Sequence, residues 1–140
     1  MILFCDTSAL IKLYIIETGS EELKARVMEA EAVAVCRIAW AEACAALSRR
    51  AREMPEDALV IEQAKAALAA DWPHFVVLEI DQPLVELAGE YADTFALRGY
   101  DSIQLAAAFE AGRISQIPIF FACFDARLNK AAKLLGMQCA

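Results

Sequence analysis

The sequence has a single histidine, His74, and none of its five cysteines (Cys5, Cys36, Cys44, Cys123, Cys139) sits in a C-x-x-C pair. A zinc site therefore has no ligand set to form from. Scattered singly and odd in number, the thiols read as reduced, small hydrophobes of a core. Glycine is scarce, 5 residues in 140, and no glycine-rich loop is present to cradle a phosphate. That removes nucleotide binding through a P-loop. No apolar run approaches the ~18 residues of a membrane span. The longest, Ile117 to Phe124, has the length of a buried strand and contains Pro118. The opening Met1-Ile2-Leu3-Phe4-Cys5-Asp6 has no basic stretch and meets an acid at once, unlike a signal peptide. The expectation is a soluble, cytoplasmic protein with no membrane partner. Basic side chains are outnumbered by acidic ones, 13 to 20, for a net charge of −7. This argues against a protein that coats nucleic acid electrostatically, but not against an enzyme that touches a few phosphates.

What the chain does have is apolar surface, 59% of its residues, much of it alanine suited to close-packed helices. Its 140 residues suffice for one core, and no linker, repeat or low-complexity stretch divides them. We read residues 1–140 as a single domain. Ile2 to Cys5 reads as a buried strand, followed by helices over about 7–16 and 20–31. Ala32 to Cys36 is a second strand, Ile38 to Arg52 a helix, and a further helix runs from after Pro55 to about Ala70. Phe75 to Ile80 is a third strand, after which Asp81 caps a helix to about Leu97 with Pro83 in its first turn. Gly99 ends that segment, Asp101 to Ala111 is the next helix, Ile117 to Cys123 a fourth strand, and Asp125 opens a last helix. This alternation predicts an α/β fold: a three-layer α/β/α sandwich around a central, mostly parallel sheet. Sites in such sheets form beyond the carboxyl ends of the strands.

Four acids are the candidates for that position. Taken singly, Asp6, Asp101 and Asp125 each read as a helix cap, and Asp101-Ser102-Ile103-Gln104 even has the spacing of a capping box. Glu42 resists that reading, because Ile38-Ala39-Trp40-Ala41-Glu42-Ala43-Cys44-Ala45-Ala46-Leu47 predicts a largely buried helix. A buried carboxylate needs a partner, either an arginine such as Arg37 or Arg49, or a metal. Jointly, Asp6 and Asp125 follow strands while Glu42 and Asp101 lie near the starts of helices, so all four belong at one sheet edge. Carboxylates converging there repel one another, and a hard divalent cation, Mg²⁺ or Mn²⁺, relieves the repulsion. Asp81 occupies the same kind of position and is read as a cap only.

The stretch Phe4-Cys5-Asp6-Thr7-Ser8-Ala9-Leu10-Ile11-Lys12-Leu13-Tyr14 resembles the first motif of PIN domains, in particular of VapC-type toxins from toxin–antitoxin pairs. Ala41-Glu42 resembles the second motif, Tyr100-Asp101-Ser102-Ile103-Gln104-Leu105-Ala106 the third, and Phe124-Asp125-Ala126-Arg127-Leu128 the fourth. Ser102-Ile103-Gln104 departs from the alanine and histidine common in that family. The resemblance implies a PIN-like fold, a divalent-metal nuclease site, an RNA substrate, a homodimer and a cognate antitoxin protein as partner.

Phosphodiester hydrolysis by such a site would use Asp6 and Asp101 as direct ligands. Asp125 and Glu42 would complete it as further ligands, through bound waters, or as a general base. The hydroxyls of Thr7 and Ser8 are candidates for positioning water or substrate, with helix capping as the alternative. Arg127, Lys130 and Lys133 recur every three residues, and Arg127 and Lys130 are candidate phosphate contacts. The cluster Arg49, Arg50 and Arg52 reads instead as favourable charge at a helix C-terminus. A dehalogenase-like phosphotransfer site wants a second Asp where Ser8 stands, and the pattern of a receiver domain is absent. The remaining alternatives are a catalytically silent interaction module and an RNA-processing nuclease without an antitoxin.

Overall fold

Ile2–Cys5 forms strand β1, and its four side chains are all buried, alternating between two cores. Ile2 and Phe4 face one, Leu3 and Cys5 the other, as the two-residue period of a strand requires. The computed structural model describes residues 1–140. After β1 come α1 (Thr7–Lys12), α2 (Ser20–Glu29), β2 (Ala32–Cys36), α3 (Ala39–Glu53) and α4 (Ala58–Asp71). Then follow β3 (Val76–Leu78), α5 (Gln82–Phe95), α6 (Gly99–Ser115), β4 (Ile119–Ala122), α7 (Ala126–Leu134) and β5 (Gln138–Cys139).

The five strands pair in the order β3-β2-β1-β4-β5, and every pairing is parallel. The first core packs Leu84, Ala88 and Tyr91 of α5, the alanine run 106–108 of α6 and Leu128 of α7 onto one face of the sheet. There Phe4 stacks on Phe121 with ring centroids 5.8 Å apart. The second core packs Leu10 of α1, Leu23 of α2, Ala39 and Ala43 of α3 and Leu68 of α4 onto the other face. The expected three-layer α/β/α sandwich is present, with a sheet that is parallel throughout.

Chain order decides where a site can lie. From β1 the chain steps to β2 and β3 on one side, then returns to place β4 on the other side of β1. The carboxyl ends of β1 and β4 therefore flank the point where the winding reverses, and the loops leaving them part to open a crevice.

Several local expectations are corrected. Helix α1 stops at Lys12 rather than near residue 16, and α2 stops at Glu29. The strand expected over 75–80 is confined to Val76–Leu78, and β5 adds a strand that the sequence pattern does not predict. Gly99 does not end α5; it begins α6. Ala96, at φ 54°, takes the left-handed turn after α5 that glycine usually fills. Asp101 thus lies inside the first turn of α6 and is not its cap. Helix α3 is less buried than its alanines suggest: only Ala39, Ala43 and Leu47 are fully covered, while Glu42 reaches solvent. No helix is long and apolar enough to cross a membrane.

Candidate active site

Asp6 leaves the end of β1 in an extended conformation and caps α1, accepting a 2.9 Å hydrogen bond from the Ala9 amide at Oδ1. The Ser8 hydroxyl donates to the same oxygen at 2.7 Å. Asp125 repeats the arrangement past β4, where its Oδ1 accepts from the Leu128 amide at 2.8 Å. Both are caps, as the residue pattern allows, but capping occupies only one oxygen of each. Glu42 follows the same rule. Its Oε1 accepts from the Thr7 hydroxyl at 2.7 Å and from Gln104 Nε2 at 3.1 Å. In each of the three carboxylates the protein grips one oxygen and leaves the other without a protein donor. Asp101 makes no side-chain hydrogen bond to protein and lines an open cleft with Glu42.

The arginines offered as partners for Glu42 are engaged elsewhere. Arg37 pairs with Glu79, and Arg49 with Glu53. What holds Glu42 is a hydroxyl and an amide, with no compensating cation. Gln104, the position where the third motif departs from the PIN pattern, is 3% exposed and also reaches Thr7 Oγ1 at 3.2 Å. Since both of its contacts receive a donated hydrogen, Nε2 must face them, and Oε1 is left buried with no partner. A buried amide oxygen without a donor costs free energy and marks a place for a bound water or ion shell.

The charges feel one another. Asp6, 7% exposed, has its carboxyl pushed up to about 6, chiefly by burial and further by the negative charges of Asp101 and Glu42. The Ala9 and Ser8 hydrogen bonds pull in the opposite direction. Asp101 is also raised, by burial first and then by Asp125, while Arg98 lowers it. Burial and the charge of Asp6 push the Cys123 thiol up to about 12, so it stays protonated and inert. Asp6 and Glu42 come from the α1–α4 layer, Asp101 and Asp125 from the α5–α7 layer, and they meet over the β1–β4 crevice.

No three acidic, histidine or cysteine side chains close into a tight ligand shell. Mg²⁺ does not need one, because it keeps several of its waters and takes only one or two carboxylates. The donor set fits that ion: hard oxygens, mutually repelling, with free carboxylate oxygens and an orphaned amide oxygen beside them.

Thr7 and Ser8 touch the acids directly. Arg127 donates to the Ala96 carbonyl at 3.2 Å, which places it at the α5–α6 turn. Lys130 is exposed on α7 and touches none of the four acids. Sequence reasoning missed Arg98, which lines the cleft, and the grip of Gln104 on Glu42. The signal for Gln104 was available as a polar residue within the otherwise apolar face 103–108 of α6.

The family model described as PIN domain matches residues 3–134. Ribonuclease VapC45 of Mycobacterium tuberculosis is 31% identical, over 99% of this chain and 94% of that protein. Among solved structures, M. tuberculosis VapC20, described as a sarcin–ricin loop cleaving toxin, superposes with a TM-score of 0.61 at 18% identity. That match covers 92% of this chain and 94% of the other. A toxin–antitoxin complex from Klebsiella pneumoniae gives a TM-score of 0.58 at 19% identity, covering 86% and 84%.

Proposed function

The chain belongs to the PIN domain family, and on that premise we propose that it is a Mg²⁺- or Mn²⁺-dependent endoribonuclease, the toxin of a type II toxin–antitoxin pair. The observation that carries the reading is the set of carboxylates at the β1–β4 crevice, Asp6, Glu42 and Asp125 each held by one oxygen and presenting the other. Such a set serves a cation better than it serves the fold, since burial first, and then the neighbouring carboxylates, raise Asp6 and Asp101. Asp6 and Asp101 would hold the ion, with Asp125 and Glu42 completing the site.

When bound, the ion supplies a nucleophile by lowering the pKa of water and polarises the phosphoryl oxygen. The protein's own groups orient the reaction. Ser8 and the Ala9 amide fix the rotation of Asp6. Thr7 and Gln104 fix Glu42 so that Oε2 is the free acceptor for a proton from the attacking water. An antitoxin partner and a homodimer are part of the proposal. The VapC name of the relatives and the fold shared with a chain of the Klebsiella toxin–antitoxin complex support the antitoxin; the homodimer rests on the family resemblance alone.

The test uses structured and single-stranded RNAs with Mg²⁺, with Mn²⁺ and with chelator, alongside Asp101→Asn. The reading expects metal-dependent cleavage by the natural protein that the variant lacks. Equal cleavage by both would show a contaminant or a different site. No cleavage by either, across a broad RNA panel, would favour the silent interaction module. Cleavage without any antitoxin that suppresses it would favour a processing nuclease.

A further inference from the structure

Beside the acids lies a cleft of about 500 Å³ lined by Glu42, Arg98, Gly99, Tyr100, Asp101 and Ile103. That is room for a small-ligand-sized group. Two of its walls are unemployed by the fold. Among the basic side chains only Arg52, Arg98, Arg127, Lys130 and Lys133 make no ion pair with a carboxylate. Of these, Arg98 alone lines the cleft; its charge is felt by Asp101, yet its guanidinium makes no hydrogen bond.

The three tyrosines divide in the same way. Tyr14 donates its hydroxyl to Asp71, and Tyr91 packs on Phe95 and Phe109. Tyr100 is 62% exposed, touches no other ring and makes no hydrogen bond. The ring contributes nothing to the core, and its face is free to stack on a ligand. Gly99, between the two residues, has open space where a Cβ would stand, and both of its neighbours line the same cleft. The first turn of α6 has no side-chain cap, so its leading amides have no side-chain acceptor at the N-cap.

We propose that Arg98 and Tyr100 form a subsite for one unpaired nucleotide of the substrate, the guanidinium holding a phosphate next to the scissile one and the ring stacking on the base. The proposal rests on the nuclease reading above, which supplies the scissile phosphate over Asp6 and Asp101. A cation and a π-face together fit a nucleotide and fit neither an apolar segment nor a bare anion. A base inside a duplex has both faces stacked and cannot meet the ring, so the subsite selects unpaired RNA. It also explains how a chain of net charge −7 receives RNA: one unneutralised arginine stands at the cleavage cleft, while most other cations are tied to carboxylates.

The test measures equilibrium binding in an Asp6→Asn background, which keeps the cap acceptor for the Ala9 amide and leaves RNA intact. The probe is a short labelled single-stranded RNA of mixed composition, and the same strand annealed to its complement, with Mg²⁺ present. The single strand should bind about tenfold tighter than the duplex, and Tyr100→Ala should lose about tenfold of that affinity. Tyr100→Phe should retain it. Arg98→Gln should weaken binding and reduce the slope of log affinity against log salt by about 0.7. Equal binding of single strand and duplex, unchanged affinity in Tyr100→Ala, or no binding of either RNA would overturn the subsite. Cleavage is scored separately. Binding through Tyr100 without cleavage by the natural protein would leave the subsite and remove the nuclease. Cleavage with unchanged Tyr100→Ala binding would do the reverse.

Discussion

Asp6 and Asp81 make the same local structure and have different surroundings. Each leaves a parallel strand, each starts a helix, and each caps it through Oδ1, at 2.9 Å to the Ala9 amide and 3.0 Å to the Leu84 amide. Asp81 follows β3, the outermost strand on its side, and is exposed. Asp6 follows β1 in the middle of the sheet, is buried, and shares the crevice with three more acids. Identical capping chemistry is therefore structural at the sheet's margin and, beside the winding reversal, doubles as a candidate ligand. Place in the topology separates the two roles; the residue and its helix cap do not.

The largest expected effect follows from that contrast. Asp6→Asn and Asp101→Asn should each cut metal-dependent RNA cleavage by more than about a hundredfold, since even removing a partner of a ligand costs ten to a hundredfold. Asp81→Asn should leave the rate unchanged. Rates are compared at saturating RNA and metal. An Asp81→Asn rate reduced as far as that of Asp6→Asn would erase the distinction between the two regions.

How much of this was readable before the fold was known depended on the range of each interaction. The strand–acid junctions at Asp6 and Asp125, and the Asp81 cap, depend on residues within three or four positions and were legible. The α5–α6 junction was not. Glycine is the usual residue at a helix end, yet here Ala96 turns left-handed and Gly99 starts the next helix. The Ala96 carbonyl is met by Arg127, thirty-one residues away, a partner that local pattern cannot show. Strand β5 is two residues long and carries no periodicity to detect. Within the site, the positions of the acids were legible but their holders were not. Gln104 reaches Glu42 across sixty-two residues, and only packing of α6 on the sheet brings them together.

Asp6 also links the stability of the fold to pH. The folded carboxyl of Asp6 lies at about 6 against an ordinary 3.8. Between those values the folded state binds more protons than the unfolded one, so this group's contribution is fully present below 3.8 and is lost as pH rises through about 6. Asp101 shifts in the same direction. In chelator at neutral pH, Asp6→Asn should therefore be more stable than the natural protein by up to about 3 kcal/mol, with the gap closing as pH falls to about 4. Denaturant unfolding at both pH values measures it. A gap of the same size at both would assign the effect to something other than the carboxyl's charge.

Gln104 sharpens the contrast from the side of the holders. Gln104→Ala removes the amide donor from Glu42 and Thr7 while leaving all four acids in place. Cleavage or metal affinity should fall about ten- to a hundredfold, less than for the acids themselves. Gln104→His, which keeps a ring N–H donor, should recover part of the loss. Metal titration followed by activity separates weaker binding from slower turnover, and full activity in Gln104→Ala would show that Glu42 needs no holder.

The smallest effect belongs to the margin of the sheet. Asp81→Ala removes the acceptor for the Leu84 amide at the first turn of α5. Loss of a cap costs about 1 kcal/mol, and α5 packs Leu84, Ala88 and Tyr91 into the larger core, so the loss should register in global unfolding. Asp81→Asn keeps an acceptor and should recover most of it. Cleavage by both variants should match the natural protein under conditions where both are fully folded. The pair thus complements the substitutions at Asp6: one aspartate whose side chain matters for stability and leaves turnover untouched, another whose charge opposes stability and is kept for the chemistry. If Asp81→Ala instead slowed cleavage without lowering stability, β3 would lie within reach of the substrate, and the active crevice would extend across β2 to the edge of the sheet.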